Sequence, residues 1–570
     1  MKTLFLAFVL LAIGFNLANA LGEAPDEDSH FGVIRNYIRR GLLQGGHQHE
    51  AFQPPLYYVL GSLLARPFDL SEARLWRNPD FVIGDPNSPP NLLIHTAAED
   101  WPFAPWVWAW RILRFYSTLC VLIGLLATWK LARLVAPEEP LAGFLAVGLI
   151  GLSPGVLFVA AAVNNDNLAF ALAALTLWQI ARIVHGSDAR RDWMLLGALL
   201  GAGYATKLSL LTLAAPTLIA WCLRAYKSAW ARPLLSRAGY LAMGIAITGG
   251  WWALYLWVNH QEVIGLNRTW GFNPPRNDPI LPSGWVAILL HTWRSYWLSY
   301  LQLRQPAWVY YGAWLLPILA VVGWIRRWRR RETSLDSRVL VVLAAQILAM
   351  GAAWLFWTTR VPGTDQARLL APAYPAIAVL ASMGMVYLWP RPWMRKLGVV
   401  LICFGLAGIS LWTIFGVLRP HFAPPPTELA PSAPPQIAFG GELGLDYRIT
   451  MEAIPLQIGQ RIEIEARWRA LAPIHRDLWV QWKLQPLQGD PLVVAFKSPS
   501  RGLYSTDRWP LGRVIRAHHT IVIPEGARPG VYRLIASVRP PDKAVWLPVL
   551  VEGQVIGEEI VLAEVMVVTP

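Results

Sequence analysis

About eleven apolar runs, most of them near the 17–25 residues that cross a hydrocarbon core about 30 Å thick, constrain this chain more than any other feature. They lie near 3–20, 107–129, 141–162, 167–184, 193–206, 208–224, 239–258, 307–325, 338–357, 369–389 and 397–418. Lipid offers backbone N–H and C=O groups no partner, so runs of this kind cross it as helices. The fifth and sixth are the least sharply bounded, because only Lys207 separates them. Composition agrees: 55% hydrophobic residues, 15% charged residues and 31 Trp are unusual for a soluble domain and suit a helical bundle with interfacial aromatic belts. The expected class is an α-helical polytopic membrane protein.

A net charge of +14 raises the question of nucleic acid, but the basic residues form short clusters between apolar runs and no contiguous patch. Lys130/Arg133, Arg182/Arg190/Arg191, Arg224/Lys227/Arg232/Arg237, Arg326/Arg327/Arg329/Arg330/Arg331 and Arg391/Arg395/Lys396 occupy alternate connections. With Lys2 they place the N-terminus in the cytoplasm and everything after residue 418 outside. Residues 1–20 also resemble a secretory signal ending in Ala18-Asn19-Ala20, and either reading leaves the next loop outside. Cys120, Cys222 and Cys403 all fall in expected spans, so no disulfide framework or zinc site follows from them.

The outer loop, about 21–106, opens with Asp26-Glu27-Asp28-Ser29-His30 where the first span emerges. Ionisable groups near hydrocarbon cost roughly 2.5–3.5 kcal/mol at a helix centre, so carboxylates at a span's exit point to a site as well as to a solvated loop. Residues 30–45 carry an apolar stripe at helical spacing with Arg35, Arg39 and Arg40 opposite, the pattern of an interfacial helix. Pro54 and Pro55 open a second short helix over 55–65, within Gln53-Pro54-Pro55-Leu56-Tyr57-Tyr58. Asn164-Asn165-Asp166-Asn167 follows the third span, where a helix cap competes with a functional reading. Arg268, Arg276, Arg294, Arg304, Arg360 and Arg368 break the charge rule on this face and would suit a lipid phosphate, whose oxygens the guanidinium fork binds in pairs.

Taken in order, the acidic pair, the Pro-Pro-Leu-Tyr-Tyr segment, the Asn-Asp motif, Thr206-Lys207 and Arg368-Leu369-Leu370-Ala371-Pro372 resemble the GT-C glycosyltransferases of bacteria, nearest the family 39 protein mannosyltransferase and aminoarabinose transferase group. The resemblance covers about residues 1–420. It implies a multi-pass enzyme of the bacterial plasma membrane that moves a sugar from a polyprenyl-phosphate donor to a lipid, glycan or protein acceptor on the extracytoplasmic face. Carried onto this sequence, it makes Asp26 the base, with Glu27 and Asp166 as further catalytic acids. It offers His30, Gln53, Tyr57, Lys207, Arg268, Arg360 and Arg368 as substrate-binding residues. Asp28 and His30 depart from the aminoarabinose-transferase pattern and leave the choice among Asp26, Glu27 and Asp28 open. The chemistry is consistent: an acceptor must lose a proton to a base, and a leaving phosphate needs its charge met. The outer carboxylates also match the hard-oxygen ligand set of Mg2+ or Mn2+, and the sequence does not decide metal dependence.

After residue 418 the composition changes. Residues 419–435 read as a stiff Pro-rich linker, and 436–570 alternate apolar and polar residues, as in Arg461–Trp468 and Asp477–Leu484. These strands predict an all-β sandwich that resembles the extracytoplasmic sandwich of some bacterial family 39-like proteins. Trp479, Trp482, Trp509 and Trp546 are read as core in preference to sugar platforms. Two competing functions are a transporter or flippase, which should show paired discontinuous helices, and a non-catalytic envelope assembly protein, which would leave so many spans unexplained.

Overall fold

The computed structural model describes all residues except 45, 86, 227–230, 331–334 and 569–570, so Lys227 and Arg331 of the basic loops lie outside the described residues. It divides into two compact units, Met1–Ser71 with Trp108–Pro420 and Glu72–Val107 with His421–Pro570. The second unit takes part of the outer loop, which the sequence assigns to the membrane domain.

The helical unit runs α1 (Lys2–Ala18), α2 (Glu27–Arg40), α3 (Leu56–Ala65), α4 (Pro105–Val135), α5 (Pro140–Gly151), α6 (Pro154–Ala160), α7 (Asp166–His185) and α8 (Arg190–Tyr204). It continues with α9 (Ala214–Tyr226), α10 (Ala231–His260), α11 (Leu266–Phe272), α12 (Pro282–Tyr296), α13 (Ala307–Gly312), α14 (Leu315–Arg329), α15 (Ser337–Thr358), α16 (Tyr374–Leu388) and α17 (Pro392–Trp412). Among the described residues seven helices are long and apolar enough to cross a membrane, or eight if α5 and α6, bent by 67°, count as one broken span. The other expected spans are shorter: α1 has 17 residues and α8 has 15, while Leu208–Arg224 begins as a 3-10 turn. Large side chains such as Leu348 and Phe404 are more than 70% exposed, a surface that lipid accommodates and water does not.

With hydrocarbon outside, helices associate by close packing, and small residues permit it. A Cβ on Gly197 of α8 would sit 2.0 Å from the Leu241 carbonyl oxygen of α10. Thr248 Oγ then reaches the Ala198 carbonyl at 2.8 Å across the same contact. Likewise a Cβ on Gly323 of α14 would lie 1.7 Å from the Gly384 oxygen of α16. A small hairpin, β1 (Ser299–Tyr300) with β2 (Leu303–Arg304), follows α12.

The second unit is a two-sheet β structure. Its strands are β3 (Thr427–Leu429), β4 (Ile437–Phe439), β5 (Leu443–Met451), β6 (Arg461–Ala470), β7 (Trp479–Pro486), β8 (Val493–Lys497), β9 (Arg513–Val522), β10 (Gly530–Arg539), β11 (Val549–Val551), β12 (Gln554–Gly557) and β13 (Ile560–Val567). One sheet is ordered β13-β10-β7-β8 and the other β12-β11-β4-β5-β6-β9-β3, and every named pairing is antiparallel. Alternation puts Ile462, Ile464 and Trp468 of β6 and Val480, Trp482 and Leu484 of β7 into one core. Trp479, Trp482 and Trp509 are buried and Trp546 is half-buried. The Pro-rich segment is not wholly a spacer, since β3 within it pairs with β9. Outer-loop residues are stitched to the same unit: Asn78 donates to the Arg501 carbonyl at 3.1 Å, and Arg508 binds Asp100 through two hydrogen bonds of 2.8 and 2.9 Å.

Candidate active site

The chain leaves α1 and turns sharply into α2 at Asp26, which stands at the helix N-terminus in the left-handed conformation with φ 58°. That geometry is uncommon for a residue other than glycine and persists only where the surroundings hold it. It aims Asp26 and Glu27 in different directions. Asp26 pairs with Arg368 Nη2, and Arg368 Nη1 reaches Asp166 Oδ2 at 3.1 Å. Asp166 Oδ1 in turn accepts from Lys207 Nζ at 2.6 Å, and Arg368 Nε donates to Gln366 at 2.8 Å. Two carboxylates and two cations from the α1–α2 turn, the start of α7, the residue before the Leu208–Leu213 turn and the Ala367–Ala373 turn thus close one network.

Burial works against the charge on Asp26, but the Arg368 guanidinium beside it holds its carboxyl below the usual carboxylate range. Beside the network a cavity is walled by Phe158, Val159, Phe170 and Ala371 and edged by Asp166, Gln366 and Arg368. An apolar wall next to paired cations fits a ligand that is greasy at one end and anionic at the other.

Glu27 belongs to a different arrangement. It is fully buried and accepts five hydrogen bonds: from Arg114 Nε and Nη2 at 2.7 Å each, Trp110 Nε1 at 2.8 Å, Val163 N at 3.0 Å and Gly22 N at 3.1 Å. Arg114 also donates to the carbonyls of Asn16, Asn19 and Ala20, so one guanidinium fastens the end of α1 to the turn that follows it. Glu27 has no lone pair left for a substrate in this arrangement.

Tyr57 is equally enclosed, its hydroxyl sharing a hydrogen bond of 2.7 Å with Ser117 and accepting from Asn164 N at 2.9 Å. His30 is buried, with Nδ1 2.8 Å from the Tyr58 hydroxyl, and burial pushes its imidazole below the ordinary value. Its Nε2 has no hydrogen-bond partner among the described residues. Gln53 closes the short turn over His49–Phe52 through its backbone N–H. Arg268 Nη2 donates to the Ala51 carbonyl at 2.6 Å, and Arg360 folds back over Phe356 on an exposed turn. The structure therefore gathers Asp26, Asp166, Lys207 and Arg368, places Glu27 and Tyr57 behind them, and engages Arg268 and Arg360 elsewhere.

Sequence reasoning missed Arg114 and the pair His49 and Glu50, and it named Asn164 only as part of the motif around Asp166. Arg114 carried a signal, being an arginine inside an apolar run. His49 and Glu50 carried none, because only the fold brings their ligand atoms and that of Asp26 within 4.8 Å of one another.

Residues 109–252 match the family model described as dolichyl-phosphate-mannose-protein mannosyltransferase, a stretch that holds Arg114, Asn164, Asp166 and Lys207. Among solved structures the chain is similar to ArnT from Cupriavidus metallidurans bound to undecaprenyl phosphate, with 14% identity, 74% of this chain and 73% of that one covered, and a TM-score of 0.45. It is also similar to the oligosaccharyltransferase of Archaeoglobus fulgidus in complex with Zn and sulfate, with 12% identity, coverage of 72% and 53%, and a TM-score of 0.37. Likenesses this loose assign no role to any residue. No curated protein matches the chain. The family likeness lies within the helical unit, over residues 109–252.

Proposed function

We propose that the protein transfers a sugar from a polyprenyl-phosphate donor to a lipid, glycan or protein acceptor, with Asp26 as the base. The observation that carries this reading is Arg368, in the wall of a largely apolar cavity, bridging Asp26 and Asp166. With Lys207 the network holds two cations against two carboxylates and is balanced. A donor phosphate arriving at Arg368 competes with Asp26 for the guanidinium and releases the carboxylate beside the sugar. The acceptor's O–H or N–H then attacks the anomeric carbon, Asp26 takes the proton, and the bond from that carbon to the phosphate oxygen breaks. Polyprenyl phosphate leaves with its charge met by Arg368 and Lys207. Asp166 keeps those two cations in place.

Asp26, His49 and Glu50 have the hard-oxygen and imidazole character that suits a divalent cation. Such an ion would supply further positive charge for the leaving phosphate. Alternating basic connections support an orientation in the bacterial plasma membrane with the site and the β unit on the extracytoplasmic side.

The test is transfer of labelled sugar from polyprenyl-phosphate donors into a membrane lipid extract, by purified protein in detergent. Asp26→Asn keeps the size of the side chain but accepts no proton, and should lose about 10²–10⁴-fold in turnover. Full activity in Asp26→Asn sinks the assignment, and activity lost instead in Glu27→Gln or Asp28→Asn moves the base within the cluster.

A further inference from the structure

We infer that Asn164 is a positioning residue that clamps the base-bearing turn to the acid-bearing turn, a deepening that rests on the proposed reaction. Asn164 is completely buried. Its Nδ2 donates to the Pro25 carbonyl at 3.0 Å, and its Oδ1 accepts from the Asp166 backbone N–H at 2.9 Å. Its own backbone N–H donates to the Tyr57 hydroxyl at 2.9 Å, which is held in turn by Ser117. One side chain thus contacts the backbone of Asp166 and of the residue just before Asp26 while touching neither carboxylate of the Arg368 network.

The Pro25 contact has a specific consequence. Pro25 C=O and Asp26 N–H belong to one planar peptide, so fixing that carbonyl fixes the plane from which Asp26 departs at its left-handed φ. Without the clamp the turn is free to relax toward a commoner backbone region, and relaxation rotates the Asp26 carboxylate relative to Arg368. The Asp166 contact does the reverse job, orienting the first residue of α7. Asparagine is suited to the position because one amide offers a donor and an acceptor together. The neighbouring Asn165, although it is the residue before α7, makes no side-chain cap on that helix.

The decisive measurement pairs hydrogen–deuterium exchange with transfer kinetics on the full-length protein in detergent. Asn164→Ala should speed exchange in peptides covering 21–30 and 162–168. Turnover should fall by about 10²-fold, the cost of misplacing a reacting group by about 1 Å, while donor KM stays within about threefold. Asn164→Asp keeps the size and the acceptor for Asp166 N–H but points an acceptor at the Pro25 carbonyl. It should therefore loosen 21–30 and leave 162–168 protected, an asymmetry that general destabilisation does not produce, and it serves where Asn164→Ala fails to fold. Wild-type exchange together with wild-type turnover in Asn164→Ala overturns the inference, as does equal loosening of both segments in Asn164→Asp. If the unmodified protein transfers no sugar from any donor, the proposed reaction fails, whereas the exchange measurements still decide whether the clamp exists.

Discussion

Replacing Glu27 by glutamine tests whether this acid anchors the structure or takes part in the reaction. The side chain is enclosed with Arg114, and both are fully buried. Removing the carboxylate's charge leaves a buried guanidinium without its counter-ion, a change that costs about 3–5 kcal/mol when one partner of a buried pair is lost. The amide adds to the loss. Oε1 faces three donors and Oε2 faces two, Arg114 Nη2 and Gly22 N, so either orientation of the glutamine NH2 points a donor at donors. Against a total stability of about 5–15 kcal/mol this is about a fifth or more of what holds a domain folded. The assay is thermal unfolding of purified Glu27→Gln in detergent beside the unmodified protein, read together with transfer. A clearly lowered midpoint is expected. Adding Arg114→Leu to Glu27→Leu should recover part of the loss, since the buried charge is then gone, but not all of it, because the carbonyls of Asn16, Asn19 and Ala20 lose their donor. An unchanged midpoint in Glu27→Gln refutes the anchoring argument. An unchanged midpoint with abolished transfer assigns Glu27 to the reaction.

Gly323→Leu should destabilise the bundle by about 1–3 kcal/mol or more, because a Cβ there meets the Gly384 carbonyl and α14 and α16 must part; a wild-type unfolding midpoint would contradict this packing. His291 Nδ1 lies 2.9 Å from Asp365, and the pair's hydrogen bond and charges raise the histidine and lower the aspartate. The histidine's contribution is complete below its ordinary value of about 6.5 and fades as pH rises through the raised one. The aspartate's is complete above about 3.9 and fades as pH falls through the lowered one. Protection of residues 360–368 against hydrogen exchange, corrected for intrinsic rates, should therefore be greatest between about pH 4 and 6.5 and flatten in His291→Gln; equal pH profiles in the two proteins would remove the pair from consideration. A single cysteine introduced at Arg330 should react in intact cells only with a membrane-permeant reagent, and labelling by an impermeant one would invert the proposed orientation.

Much of the architecture was legible because membrane and sheet impose periods that a sequence displays directly. Apolar runs gave the long helices, and strict alternation over Arg461–Trp468 gave β6 with its buried Ile462, Ile464 and Trp468. A helix expected over 30–45 exists but runs from Glu27 to Arg40, and the one expected over 55–65 begins at Leu56. The short α8 was harder to place, since its stability rests on glycines that bring it against α10, a contact between residues some fifty positions apart. The division into units was hidden for a similar reason. Residues 72–107 carry no strand pattern, and they join the β unit through individual hydrogen bonds, such as those that Asn78 donates to Arg501 and Asp100 accepts from Arg508.

In the site, the sequence by itself determined which residue types were available: carboxylates and arginines in segments expected on one face, where the charge rule of membrane topology does not require arginine. It did not determine their roles. Asp26 and Glu27 are adjacent in the chain and identical in chemistry, yet a left-handed turn sends one to Arg368 and the other to Arg114. Arg360 and Arg368 were both expected to break the charge rule, and of the two Arg368 reaches Asp26 and Asp166. Which charge meets which depends on distances of a few ångströms between segments far apart in sequence, and those distances exist only once the helices have packed.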